Sequence, residues 1–140
     1  MCQHQPRCPQ WPALPYVGNG KQRFANVHRD DIATLYALGV CTAPAGSYNL
    51  GANAHSPTMT ELATAASRSR GLNGRIAADP EADSRARLGL FLDSLLLDVT
   101  VDTAHARTLG WSPAGPSLID ELTDITAVNT ALPSIQGEES

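Results

Sequence analysis

Arg23, His28 and Arg29 are the side chains whose types and spacing come nearest to a site in this chain. Arg23 and Arg29 could meet an anionic substrate, since a planar guanidinium matches a carboxylate or phosphate. His28 falls where an extended stretch gives way to a helix, and it could reach a substrate pocket at that crossover. Each also has a plainer reading. His28 could tether the loop through hydrogen bonds to backbone, and the two arginines could be solvated or paired with Asp30 or Asp31. Asp31 reads as a helix cap before it reads as an acid or base. Cys2, His4, Cys8 and His28 could be imagined as a zinc set, but Cys-x-His-x-x-x-Cys is not a finger spacing, so no metal is expected. A Ser-His-Asp hydrolase is unsupported because no Gly-x-Ser-x-Gly elbow occurs.

The chain has 140 residues, the size of one domain or of a piece of a larger one. With only 5% aromatic residues, its core must rest on Leu, Ile, Val and many Ala. The formal charge of −4 argues against a general nucleic-acid binder, so no nucleic-acid partner is expected. No apolar run approaches the roughly 20 residues that cross a bilayer. The first 15 residues lack the apolar stretch of a secretory signal, so the cytoplasm is the default location. Three cysteines (Cys2, Cys8 and Cys41) do not make a disulfide framework.

Residues 1–15 carry four prolines and read as irregular or extended. After a Gly18-Asn19-Gly20 turn, Arg23 to His28 reads as extended. Asp30 and Asp31 then precede Ile32, Leu35, Tyr36, Gly39 and Val40, a helical stripe with acid at its start. Ser47 to Leu50 reads as a brief strand, with Asn49 satisfying local backbone groups. Ser56 and Pro57 open a helix that Gly71 and Gly74 stop. Arg75 to Ala78 and Val99 to Val101 read as short strands. Pro80 starts a long helical region to about Leu97, whose second half is apolar on most faces and should be the most buried element. A last helix begins near Ser117, with Leu118, Leu122 and Ile125 on one side. The spacing therefore predicts a helix-rich α/β domain over 16–128, with a few short strands and about four to five helices, followed by a frayed tail over 129–140.

Asp102-Thr103-Ala104-His105-Ala106-Arg107-Thr108-Leu109-Gly110-Trp111-Ser112-Pro113 is the most distinctive tract. Asp102 suits a cap, Gly110 a left-handed helix stop, and Pro113 bars resumption. Trp111 reads as packing against the last helix. The order of types resembles the Asp-x-(Ser/Thr)-x-Ala-x-x-Leu-Gly-Trp-x-Pro tail of the NAD-dependent epimerase/dehydratase family, the extended and atypical branch of the short-chain dehydrogenase/reductases. Two further landmarks are similar to that family: the Gly18-Asn19-Gly20 turn leading into Val27-His28-Arg29-Asp30-Asp31-Ile32-Ala33, and Tyr48-Asn49-Leu50-Gly51. Together they span Tyr16 to about Leu122 in family order.

That resemblance implies an α/β fold from the C-terminal, substrate-side part of a Rossmann-type enzyme. It implies NAD or NADP as cofactor and a carbonyl or alcohol substrate. The family's glycine fingerprint and its Tyr-x-x-x-Lys pair do not occur here: the only lysine is Lys21, and Val17 stands four residues before it. The resemblance thus implies a fragment, truncated product or degenerate relative that binds no NAD(P) and is inactive alone. Arg23 is displaced by one position from the family's usual Arg, with Gln22 in its place. The neighbourhood of the diphosphate-clamping Arg is Phe91-Leu92-Asp93-Ser94. A smaller or more apolar carbonyl substrate is therefore expected in place of a nucleotide sugar. The alternative is a non-catalytic interaction module, whose exposed apolar face promotes self-association.

Overall fold

The computed structural model describes residues 12–131, with side chains through residue 124. Cys2, His4 and Cys8, most of the proline-rich start, the Ile125 side chain and residues 132–140 lie outside the described residues. Among the described residues the chain is helix-rich α/β, with six helices and one two-stranded parallel sheet. The elements run β1 (Leu14–Tyr16), α1 (Arg29–Thr42), α2 (Met59–Ser69), β2 (Ile76–Ala78), α3 (Glu81–Leu88), α4 (Phe91–Leu95), α5 (Ala104–Thr108) and α6 (Leu118–Ala131).

The sheet pairs Leu14 with Ile76 and Tyr16 with Ala78, and α2 is the crossover that parallel strands require. Small side chains let α2 approach closely. Ala63, Ala65 and Ser67 are buried where the helix meets both the sheet and α6. Ser67 Oγ donates to the Arg75 carbonyl at 2.8 Å, so the one hydroxyl in that contact is satisfied. Thr58 and Glu61 form a capping box at the α2 start, two residues beyond the Ser56-Pro57 opening the sequence suggests. At the other end Gly71 takes φ +75°, where the sequence places the stop.

A second core holds Leu35, Ala106 and Trp111, with Val27, Ile32 and Leu38 packed around them. Trp111 packs on α1 and α5, and among the described side chains none of the last helix joins that core: its ring lies beside Leu35, and its indole N–H donates to the Asp31 carbonyl at 2.7 Å.

Several sequence expectations change. Leu14 and Pro15, placed in the irregular or extended start, begin β1. Ser47–Leu50 forms no strand, because no neighbouring backbone pairs with it. Val99–Val101 forms none either; only Val99 N–H bonds the Arg23 carbonyl. The helical region after Pro80 divides into α3 and α4 because Gly89 at φ +56° turns the chain, which makes six helices where about four to five were expected. It is also not the most buried element. Leu92 is fully buried, but Leu90, Phe91 and Leu97 are exposed, since α4 finds only α3 as a substantial neighbour. The last helix continues through Ala131, past the expected boundary at 128.

Candidate functional site

The turn from Val17 to Arg23 is built around two glycines that no other residue replaces. Gly18 and Gly20 take φ +72° and +77°. A Cβ on Gly20 would stand 2.4 Å from Thr60 Cγ2 and 2.9 Å from the Tyr16 ring, so the left-handed turn and the close approach both exclude a side chain. The approach serves α2. Its first orphan N–H groups, on Met59 and Thr60, donate to the Gln22 and Gly20 carbonyls. Asn19 Oδ1 accepts from the Lys21 N–H at 2.8 Å and closes the turn on itself.

Beside this turn lies an open cavity of about 210 Å³, lined by Gly18, Asn19, Lys21, Gln22, Leu96 and Asp98. Gln22 is 5% exposed. Its amide donates to the Val17 carbonyl at 2.8 Å, while its Oε1 is buried without a hydrogen-bond partner. Asp98 receives the Arg23 backbone N–H at 2.8 Å and the guanidinium Nε at 3.3 Å. These bonds, the side-chain one foremost, hold its carboxyl below the ordinary range. Arg23 is thereby paired, and Lys21 is left as a cation without an ion pair among the described residues. The arrangement can hold one small polar or singly charged group; it lacks the free paired cations a diphosphate needs.

The three candidate side chains do not converge. Arg23 pairs with Asp98, where Asp30 or Asp31 was the expected partner. Arg29 is exposed and pairs with Asp30 at 3.5 Å, as the plainer reading has it. His28 is the N-cap of α1. Its Nδ1 accepts the Asp30 N–H at 3.3 Å, and its Nε2 lies 3.3 Å from Glu121 Oε1 on α6. The ring is tethered as the plainer reading has it, to backbone on one side and to a carboxylate on the other. The cap expected of an aspartate is occupied by His28.

Asp31 instead lies in the first turn of α1, and its carboxylate crosses to the far end of the chain. Oδ1 accepts from the Ala114 N–H at 2.9 Å, and Oδ2 from the Gly115 N–H at 2.9 Å. A Cβ on Gly51 would meet Ile32 Cδ1, Leu35 Cδ2 and Trp111 Cη2. The Val-His-x-Asp-Asp-Ile-Ala tract, the Tyr-Asn-x-Gly tract and the Leu-Gly-Trp-x-Pro tract therefore meet at one place. What they do there is mechanical: an acceptor, a small residue and a large ring close the α1–α5 core. Sequence reasoning missed Asp31 as this cross-link and Asp98 as the partner of Arg23. A signal for the first was present, since two adjacent acids at a helix start exceed what one cap consumes.

Among the described residues, no group of three or more His, Cys, Asp or Glu is placed to hold a metal ion, and no helix is long and apolar enough to cross a membrane. No family model matches the chain, and neither a curated protein nor a solved structure matches it.

Proposed function

We propose that this chain is the substrate-side portion of an NAD(P)-dependent epimerase/dehydratase or reductase, a short-chain dehydrogenase/reductase relative acting on a carbonyl or alcohol carbon. The meeting of the three resembling tracts at Asp31, Gly51 and Trp111 carries the reading: residues scattered over most of the chain serve one joint. On this reading the Gly18–Asp98 cavity faces the substrate. With Arg23 held by Asp98, a small or apolar carbonyl compound suits it better than a nucleotide sugar. NAD or NADP, the Rossmann sheet that binds it and the Tyr-x-x-x-Lys pair come from residues outside this sequence. The chain alone transfers no hydride, and it works in the cytoplasm.

The genomic sequence immediately upstream of the Met1 codon tests this. A Rossmann glycine fingerprint followed by Tyr-x-x-x-Lys in any frame is the expected result, and its absence from all frames sinks the reading. Titration of the chain with NADH and NADPH, followed by nicotinamide fluorescence, should show no saturable binding; tight stoichiometric binding would overturn the assignment of the cofactor to other residues.

A second reading, a non-catalytic interaction module that self-associates, draws on a different observation. Tyr36, Val40, Tyr48 and Leu50 are all exposed, on α1 and the segment that follows it. Sedimentation velocity decides it: concentration-dependent association that Val40→Ser abolishes supports a module, and a monomer at all concentrations removes it.

A further inference from the structure

A second cavity, of about 420 Å³, lies between the segment after α1 and the start of α5, and is lined by Gly46, Ser47, Tyr48, Leu50, Asp102 and His105. Its chemistry follows from one hydrogen bond. His105 Nδ1 stands 3.0 Å from the Tyr48 carbonyl oxygen. A carbonyl only accepts, so Nδ1 carries a proton, and the tautomer this bond selects is the one with a lone pair at Nε2. Asp102 spends Oδ1 on the Ala104 N–H at 2.8 Å and has no ion pair among the described residues. Ser47 Oγ donates to the Pro44 carbonyl, which leaves it able only to accept. Asp102, His105 and Ser47 thus all offer acceptors, and the carboxylate adds an uncompensated negative charge. Tyr48 and Leu50, 79% and 51% exposed, supply an aromatic face and an aliphatic wall.

We propose that this cavity is a binding site for a primary alkylammonium group, formed by the Asp102 carboxylate, the His105 Nε2 lone pair and the Tyr48 ring. An ammonium has three donors and no acceptor, the complement of this lining. Its charge neutralises Asp102 and is drawn to the face of Tyr48, while its alkyl body covers Leu50. The short α5 opposes a cation only weakly, because its first-turn Ala104 N–H is already spent on Asp102. The site goes beyond the proposed enzymatic reading and stands or falls without it.

Butylammonium chloride is the probe, titrated into the full chain at pH 8 and followed by long-range proton–nitrogen correlation of the imidazoles. The free protein should show His105 protonated on Nδ1 alone. The Nε2 resonance should then move saturably, with a Kd in roughly the millimolar range. Asp102→Asn should weaken binding about tenfold, and Tyr48→Leu, at an exposed position, severalfold. Butanol and sodium chloride should produce no saturable shift. A proton found on Nε2, an equal response to butanol, or unchanged affinity in both variants would overturn the proposal.

Discussion

The α1–α5 joint and the α3–α4 pair solve the same problem with opposite means. At the joint, Leu35, Ala106 and Trp111 are nearly or fully out of solvent, and Asp31 hydrogen-bonds across more than eighty positions. Around α3 and α4, contacts are local and charged: Arg85 bridges Glu81 and Asp93, and Arg87 meets Asp79, which also accepts from the Ser84 hydroxyl. Leu90 and Phe91 stand in water beside these pairs. The joint draws on apolar burial and a charged acceptor shielded from water, each worth kilocalories. The pair draws on surface ion pairs, each worth a fraction of one. Apolar composition does not decide which region becomes core; the availability of a facing surface does.

The largest test is Trp111→Ala, which should cost about 3–5 kcal/mol of unfolding free energy in urea titrations followed by circular dichroism. A loss below 1 kcal/mol would mean that the joint is not the chief source of stability. Asp31→Ala leaves the Ala114 and Gly115 N–H groups without their acceptor and should cost about 2–3 kcal/mol by the same measurement.

Acid should act outside the joint. The Ser84 hydroxyl, then Arg87, holds Asp79 below its ordinary value, and Arg23 does the same for Asp98. A depressed carboxyl stabilises the fold fully above its unfolded value, near pH 4, and that contribution fades as pH falls through the lower folded value. Stability measured from pH 6 to pH 2 should therefore decline below about pH 4, and Arg23→Gln should flatten the decline; an unchanged profile would separate Asp98 from the effect. The smallest change is expected from Leu90→Ser. At 86% exposure it should shift stability by no more than about 0.5 kcal/mol. A cost above 1.5 kcal/mol would show that Leu90 is covered in solution.

The elements legible in the sequence were those specified locally. The α1 helix, the Gly71 stop and the Gly110 turn at φ +86° all follow from nearest-neighbour rules. What was not legible depended on a partner. Ser47–Leu50 alternates as a strand does, but a strand exists only where a second backbone meets it. The residues from Leu88 to Leu97 look uniformly buried by composition, yet only Leu92 is, while Leu90, Phe91 and Leu97 stay exposed because little surface faces them. Trp111 was rightly read as packing, yet which helix it packs on is a fact of topology that spacing does not carry. The site residues failed alike: Arg23 was noticed, but its partner Asp98 stands seventy-five positions away.

The bond from Asp31 to Gly115 also sets a timetable. During synthesis α1 emerges early, with its carboxylate and the Leu35 face bare, and nothing that completes them exists until Trp111 and Gly115 have been added. Long-range closure of this kind is slow and leaves the leading half uncovered in the meantime. Translational pausing between α2 and α5 would thus prolong the interval in which the nascent chain is most prone to capture by chaperones.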